Sequence, residues 1–142
     1  MKLIDKQRKR KQRKFRSGLI KGNLTRLRVV LSKTNRYLIA QAINDEKGHT
    51  LIYCSTADLN EKAKESQCRK SKEWAKKLGQ EMTNKLKEEK IKKIVFDRNG
   101  YPYITKKIYT KDLARGDIKL VKESSGKIHA FCEIMRQGGI EF

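Results

Sequence analysis

The stretch Arg28-Val29-Val30-Leu31-Ser32-Lys33-Thr34-Asn35-Arg36-Tyr37-Leu38-Ile39-Ala40-Gln41-Ala42-Ile43 decides the fold. Two short aliphatic runs flank a polar turn, the pattern of a β-hairpin. Arg28–Ser32 reads as one strand, Ser32–Arg36 as the turn and Tyr37–Ile43 as the next strand. Asn44-Asp45-Glu46-Lys47-Gly48 then gives a hairpin loop with glycine near its end, and His49–Thr56 a third strand. Three strands joined by short links form an antiparallel meander.

Further along, Asp58–Lys70 is polar and compatible with helix, and Ser71 opens a clearer helix with Glu73 in its first turn. Trp74, Ala75, Leu78, Met82 and Leu86 recur at helical spacing, while Lys76, Lys77, Lys85 and Lys87 fall elsewhere. Such a stripe should cover one face of the sheet. Gly79 lies along it, where a helix can approach a strand closely. Ile91–Phe96 is a fourth strand, reached by this helical crossover. Ile104–Thr110 and Asp117–Lys122 read as a hairpin arm. Lys127–Gln137 is a second amphipathic helix with Ile128, Phe131, Ile134 and Met135 on its buried face, stopped by Gly138-Gly139. The expected fold class is an α/β two-layer sandwich: a small mixed sheet, three strands antiparallel and a fourth after the crossover, with helices on one face.

The charge is lopsided. Of 142 residues, 36 are Lys or Arg and 16 are Asp or Glu, a net charge of +20. Residues 1–28 hold twelve of the cations against one acid, Asp5. Residues 1–26 therefore read as a basic tail that is disordered alone, and 27–142 as the globular domain, with an arm at 104–125. Self-repulsion of this size destabilises a compact chain unless a polyanion relieves it. An anionic membrane is a poor candidate: no apolar run approaches the roughly 20 residues of a bilayer span. No segment has the apolar centre of a secretory signal. Cys54, Cys68 and Cys132 cannot all pair within one chain and lack CxxC spacing, so a reducing, intracellular location is expected. Nucleic acid is the expected partner.

Enzyme signatures are thin. The two histidines, His49 and His129, have no sequence-adjacent nucleophile or acid partner. His129 and Cys132 are three apart, but one pair makes a weak metal site. No phosphate-cradling GxxxxGK[ST] loop is present. Nucleic-acid features are stronger. The tail carries Arg8, Lys9, Arg10, Lys11, Arg13, Lys14 and Arg16, followed by Arg26 and Arg28. Guanidinium groups bind phosphate in a bidentate fork and stack on bases. The first turn combines Ser32, Asn35, Arg36 and Tyr37, and Ser55-Thr56 ends the third strand, where it caps the following turn or donates to RNA. Phe96-Asp97-Arg98-Asn99-Gly100-Tyr101-Pro102-Tyr103 is a turn crowded with flat, hydrogen-bonding side chains. Within it Asp97 should cap the turn or pair with Arg98.

These stretches resemble, in collinear order, the bacterial-type large-subunit ribosomal protein L-eighteen family, which binds 5S rRNA. The points of likeness are the basic tail, Arg26-Leu27-Arg28, Ser32 to Gln41, Cys54-Ser55-Thr56, Phe96 to Tyr103, Gly126-Lys127-Ile128-His129-Ala130 and Gly138-Gly139-Ile140-Glu141-Phe142. The family's proline between two arginines is Leu27 here. The family passes almost directly from the tyrosine matched by Tyr103 to the glycine matched by Gly126, so about twenty residues are inserted. The arm should therefore loop out and leave Tyr103 and Gly126 together.

The resemblance implies a non-enzymatic protein that needs no cofactor or metal. It attaches 5S rRNA to 23S-type rRNA in the central protuberance beside other 5S-binding ribosomal proteins. Its tail should thread between rRNA segments. Ser32, Asn35, Arg36, Tyr37, Ser55 and Thr56 should lie on the RNA-facing rim, with Arg98, Tyr101, Tyr103 and Lys127 completing it. A bacterial cytoplasmic ribosome is expected, an organellar one being the alternative. Two competing readings are an RNA-processing nuclease on a ribonuclease-H-like sheet, in which Asp97 would hold magnesium, and a free basic RNA adaptor.

Overall fold

A computed structural model describes residues 9, 20–59, 71–101, 103–111 and 118–142, with backbone alone for 106–111 and 118–124. Most of the tail, Arg8, Arg10, Lys11, Arg13, Lys14 and Arg16 included, lies outside the described residues, as do 60–70 of the polar segment and Pro102.

Strands β1 (Leu27–Lys33), β2 (Leu38–Asn44) and β3 (His49–Ser55) form the expected meander. Helix α1 (Lys72–Glu88) crosses over to β4 (Ile94–Asp97). The sheet order is β3-β2-β1-β4, with β4 parallel to β1 and the other neighbours antiparallel. β5 (Thr105–Lys111) and β6 (Ile118–Ser125) make a separate two-stranded antiparallel hairpin, and α2 (Lys127–Gln137) follows. The result is the α/β two-layer sandwich, a mixed sheet backed by two helices.

Strict alternation explains the layers. Leu38, Ala40 and Ala42 of β2 are buried, whereas Ile39, Gln41 and Ile43 between them are only partly so. Leu78, Met82 and Leu86 of α1 are fully buried with Ile128, Phe131 and Met135 of α2. Each such side chain contributes roughly 1.5–3 kcal/mol of transfer free energy. Ser71 caps α1 by accepting the Trp74 N–H. The C-terminus of α1 closes through Lys90, whose N–H reaches the Lys87 carbonyl while Ile91 N–H reaches Leu86. The same pair of bonds closes α2, with Gly139 to Arg136 and Ile140 to Met135. Gly139, at φ +86°, occupies the left-handed position that Lys90 fills at +58°.

Several expectations are corrected. Lys33 belongs to β1 rather than to the turn. β4 starts at Ile94, not Ile91, because Ile91 is still satisfying the end of α1. The packed chain begins before Leu27: Gly22 is buried, its N–H donating to the Asp45 carboxylate at 2.7 Å. Ile134 is half-buried, and Ala130 and Cys132 take the core positions beside Phe131.

Gly79 meets a helix, not a strand. A Cβ there would lie 3.0 Å from the Phe131 carbonyl oxygen and 3.3 Å from Ile134 Cβ. Gly79→Ala would gain up to about 1 kcal/mol of helix propensity and lose about 1–3 kcal/mol to overpacking. Overpacking wins because the tightest of these contacts is with backbone, which cannot rotate away. Urea unfolding should show the variant about 1 kcal/mol less stable, the difference between those two ranges.

Cys54 and Cys132 are buried free thiols. Burial pushes the Cys54 thiol up, and the Cys132 thiol up to about 12. Neither supplies thiolate at neutral pH, so neither is a nucleophile in the native chain. In a Cys68→Ser variant, a colorimetric thiol reagent should react at about pH 8, near the ordinary thiol range, only as fast as urea unfolds the protein. Rapid native labelling would contradict the packing.

Candidate nucleic-acid interface

Topology gathers the turns. Because β1 and β4 are parallel, their C-terminal ends lie at the same end of the sheet. The antiparallel meander brings the start of β2 and the end of β3 to that end as well. The Ser32–Tyr37 and Arg98–Tyr103 segments, far apart in sequence, are thereby neighbours. Asn99 Nδ2 donates to Ser32 Oγ at 3.2 Å, and the Lys33 ammonium sits 4.2 Å from the Tyr101 ring centroid.

Each turn is locally built. Thr34 Oγ1 accepts the Tyr37 N–H at 2.9 Å, and Thr34 N–H reaches the Tyr37 carbonyl at 2.9 Å. These bonds leave Asn35 and Arg36 exposed at the tip and Tyr37 half-buried at its root. In the second turn Asn99 adopts φ +52° and Gly100 +78°. Asp97 Oδ1 accepts the Asn99 N–H at 2.9 Å. Asparagine tolerates the left-handed region better than other non-glycine residues, so the Asn-Gly pair carries the reversal. Arg98 is thrown outward and exposed, while Tyr101 and Tyr103 are half-buried against the core. The Tyr103 ring meets His129 edge-on at 5.3 Å, and its hydroxyl accepts from Arg136 Nη1 at 3.3 Å.

Three expected site residues have other work. Thr56 is fully buried, and its hydroxyl oxygen accepts the Leu38 N–H at 3.0 Å where the β2–β3 ladder ends. Ser55 is also buried, with Oγ accepting the Ala57 N–H at 3.2 Å. Both close the sheet rather than face outward, which corrects their place on the rim. Arg28, whose side chain is 11% exposed, is turned into the protein. Its Nε and Nη2 grip the two oxygens of Asp45, both at 2.7 Å, and Nη1 reaches Asp97 at 3.1 Å. The bidentate guanidinium holds the Asp45 carboxyl below its usual value. Asp97 thus pairs with Arg28, not with Arg98.

The remaining positions are peripheral. Arg26 is exposed at the opposite end of the sheet, its Nε donating to the Ile94 carbonyl at 3.1 Å. Lys9 is exposed. Lys127 is half-buried in the first turn of α2, next to Gly126, whose N–H donates to the Ile104 carbonyl at 2.8 Å. This bond and the Thr105–Ser125 pairing close the base of the hairpin, so the chain leaves at Ile104 and returns at Gly126. Ile104, rather than the expected Tyr103, is the residue that meets Gly126.

Sequence reasoning missed Asn99, the link between the turns, and Arg136, which holds Tyr103. The Asn-Gly dipeptide signals a reversal, and a lone arginine in the last turn of an amphipathic helix signals little. Among the described residues no three His, Cys, Asp or Glu side chains form a metal-binding group. Asp97, which a magnesium nuclease would need, is buried and committed to Arg28 and Asn99.

The arrangement is a set of exposed cations and half-buried aromatics on rigid turns, suited to phosphate and base contact. A family model described as "Ribosomal L18 of archaea, bacteria, mitoch. and chloroplast" matches residues 4–117. The chain belongs to the ribosomal L18 family. Within this family it is similar to the large ribosomal subunit protein uL18 of a Nitratiruptor species, 38% identical over 138 residues, or 96% of this chain and 93% of that protein. The uL18 of Desulfovibrio desulfuricans is 34% identical over 134 residues, 94% of this chain and 93% of that protein. The uL18 of Borreliella afzelii is 38% identical over 94 residues, 66% of this chain and 75% of that protein. The two longer alignments span nearly the whole L18-family chain.

Proposed function

We propose that this chain is a structural, non-enzymatic protein of the large ribosomal subunit that binds 5S rRNA. It helps attach 5S rRNA to 23S-type rRNA in the central protuberance, beside other 5S-binding ribosomal proteins, in the cytoplasmic ribosome of a bacterium. Family membership supports the ribosomal role. The observation that carries the RNA-binding surface is the joining of two cation-aromatic turns by the Asn99–Ser32 bond.

On this reading Asn35, Arg36, Tyr37, Arg98 and Tyr101 face the RNA, with Lys127 and Tyr103 at the margin. Ser32 offers its hydroxyl hydrogen while its oxygen accepts from Asn99. The basic tail neutralises phosphates and supplies most of the affinity. With about 6–10 phosphates contacted, raising salt from roughly 50 to 200 mM should cost about 10³–10⁵ in affinity. The test is in vivo. A tagged chain expressed in a bacterium should sediment with large subunits, and ultraviolet cross-linking should join it to 5S rRNA. Tagged protein at the top of the gradient, free of both, would identify a free basic adaptor instead.

The hairpin at 104–125 reaches rRNA or a neighbouring protein. A two-stranded sheet is marginal alone in water, so it gains from a partner. Replacing Thr105–Ser124 with a short linker should leave isolated 5S rRNA binding intact and lower incorporation into large subunits. Unchanged incorporation would make the arm a tolerated surface insertion.

A further inference from the structure

Among the described residues, edge strand β4 is only partly covered on its outer side. Glu141 pairs with its start, accepting the Ile94 N–H at 3.0 Å and donating to the Lys92 carbonyl at 2.8 Å. Alongside β4 lies a groove of about 400 Å³. Arg26 borders it near the start of the strand, Arg98 and Tyr103 beyond its end, and Arg136 and Phe142 on the helical side, with Phe96 between. Among the described residues three guanidinium groups line it, and no carboxylate side chain does.

Two of the three arginines are held in place. Arg26 Nε donates to the Ile94 carbonyl at 3.1 Å, and Arg136 Nη1 to the Tyr103 hydroxyl at 3.3 Å. Each of these bonds uses one donor, and a guanidinium carries five. Arg136 also lies over the Phe142 ring, 4.6 Å from its centroid. That pair presents a cationic, aromatic platform. The Phe142 ring is supported in turn by Phe96 at 5.8 Å, and Phe96 by the core residue Phe131 at 5.9 Å. The platform is therefore braced against the core. Unpaired bases stack on aromatic rings and on guanidinium planes. Forked N–H donors match phosphate oxygens. A groove of this volume falls within the range of sites for small organic ligands.

We propose that this groove takes one unpaired nucleotide of the bound RNA, its phosphate bridged by the arginines and its base laid on the Arg136–Phe142 stack. The proposal rests on the RNA-binding reading above and extends that surface from the second turn, which supplies Arg98 and Tyr103, along the outer side of β4. It assigns a direct RNA contact to Arg26 and Arg136, which lie outside the two turns. An acidic peptide lying along the edge of β4 is the competing occupant.

The test follows the arginine side-chain Nε–Hε signals of the ¹⁵N-labelled full chain by NMR. Arg26→Gln and Arg136→Gln, both at exposed positions outside the two turns, assign the groove signals. Two probes are added separately, an unstructured adenylate hexamer and a glutamate-rich hexapeptide. RNA should shift the Arg26 and Arg136 signals and the peptide should not. With 5S rRNA, Arg26→Gln and Arg136→Gln should each weaken binding about tenfold, the size expected for one charge-assisted phosphate contact or one stacked base. Each should also expose one unpaired nucleotide to chemical modification. If RNA moves only the Arg36 and Arg98 signals of the turns, and 5S rRNA binds both variants as it binds the parent, the groove is not an RNA site although the turns are. If the peptide alone shifts the groove signals, the occupant is a protein and the proposal fails. If 5S rRNA does not bind the parent chain at all, the broader reading fails first.

Discussion

Replacing Arg8, Lys9, Arg10, Lys11, Arg13, Lys14 and Arg16 by glutamine is expected to weaken 5S rRNA binding about a thousandfold at roughly 0.15 M salt. The reasoning is counterion release. Each phosphate neutralised contributes about 0.7–0.9 to the slope of log K against log salt. If about five of the seven cations reach phosphate, the slope should fall by about four. The same five contacts account for about three decades of affinity at that salt. The fold should be untouched, because the buried cluster takes its first residue from Leu27. A salt titration by filter binding, beside urea unfolding of both proteins, separates the two effects. An unchanged slope would mean that the tail does not meet phosphate.

Arg28→Ala should be the most damaging single polar substitution, costing about 3 kcal/mol in urea unfolding. Its guanidinium lies between two carboxylates, with 11% of the side chain exposed, against 9% for Asp45 and 5% for Asp97. Removing one partner of such a pair leaves charge buried without compensation, which typically costs about 3–5 kcal/mol. The residual exposure argues for the lower end. The pH dependence has a definite sign. Asp45 is held below its ordinary value, chiefly by its hydrogen bonds with Arg28. Its contribution is therefore present above the usual carboxylate range, near about pH 4, and is lost as pH falls through the depressed value. The gap between parent and variant should be full at pH 6 and narrow towards pH 3. A gap that widens on acidification would contradict the assignment.

Much of the architecture was legible because the relevant signals are local. Val29 and Leu31 in β1, Leu38, Ala40 and Ala42 in β2, and the stripe from Ala75 to Leu86 carry periods of two and of about 3.6. The limits of α2 were legible too, since Gly139 provides the left-handed residue its end requires. What escaped the sequence is long-range. Nothing local says that β4 sits beside β1, and that placement alone brings Asp97 to Arg28 across 69 positions. An arginine next to a run of valines looks like a surface cation until two carboxylates from other strands and loops arrive. Ser55 and Thr56 misled for a related reason. A hydroxyl at a strand end can face solvent or finish the ladder, and Leu38, whose N–H needs a partner, decides for the second. Gly79 was recognised as a close-approach position, but the neighbour proved to be α2, because α1 and α2 pack against each other as well as on the sheet. The exposed tips at Arg36 and Arg98 were found correctly as places, since turn residues and cations are visible without tertiary structure.

The central claim is that this L18-family chain recognises 5S rRNA rather than RNA in general. The direct measurement is its affinity for 5S rRNA and for a transfer RNA, by filter binding at roughly 0.15 M salt. Specific nucleic-acid complexes are typically tighter than non-specific ones by about 10³ or more. On that basis 5S rRNA should bind at least about a thousandfold more tightly than transfer RNA. Equal affinity for the two would contradict the claim.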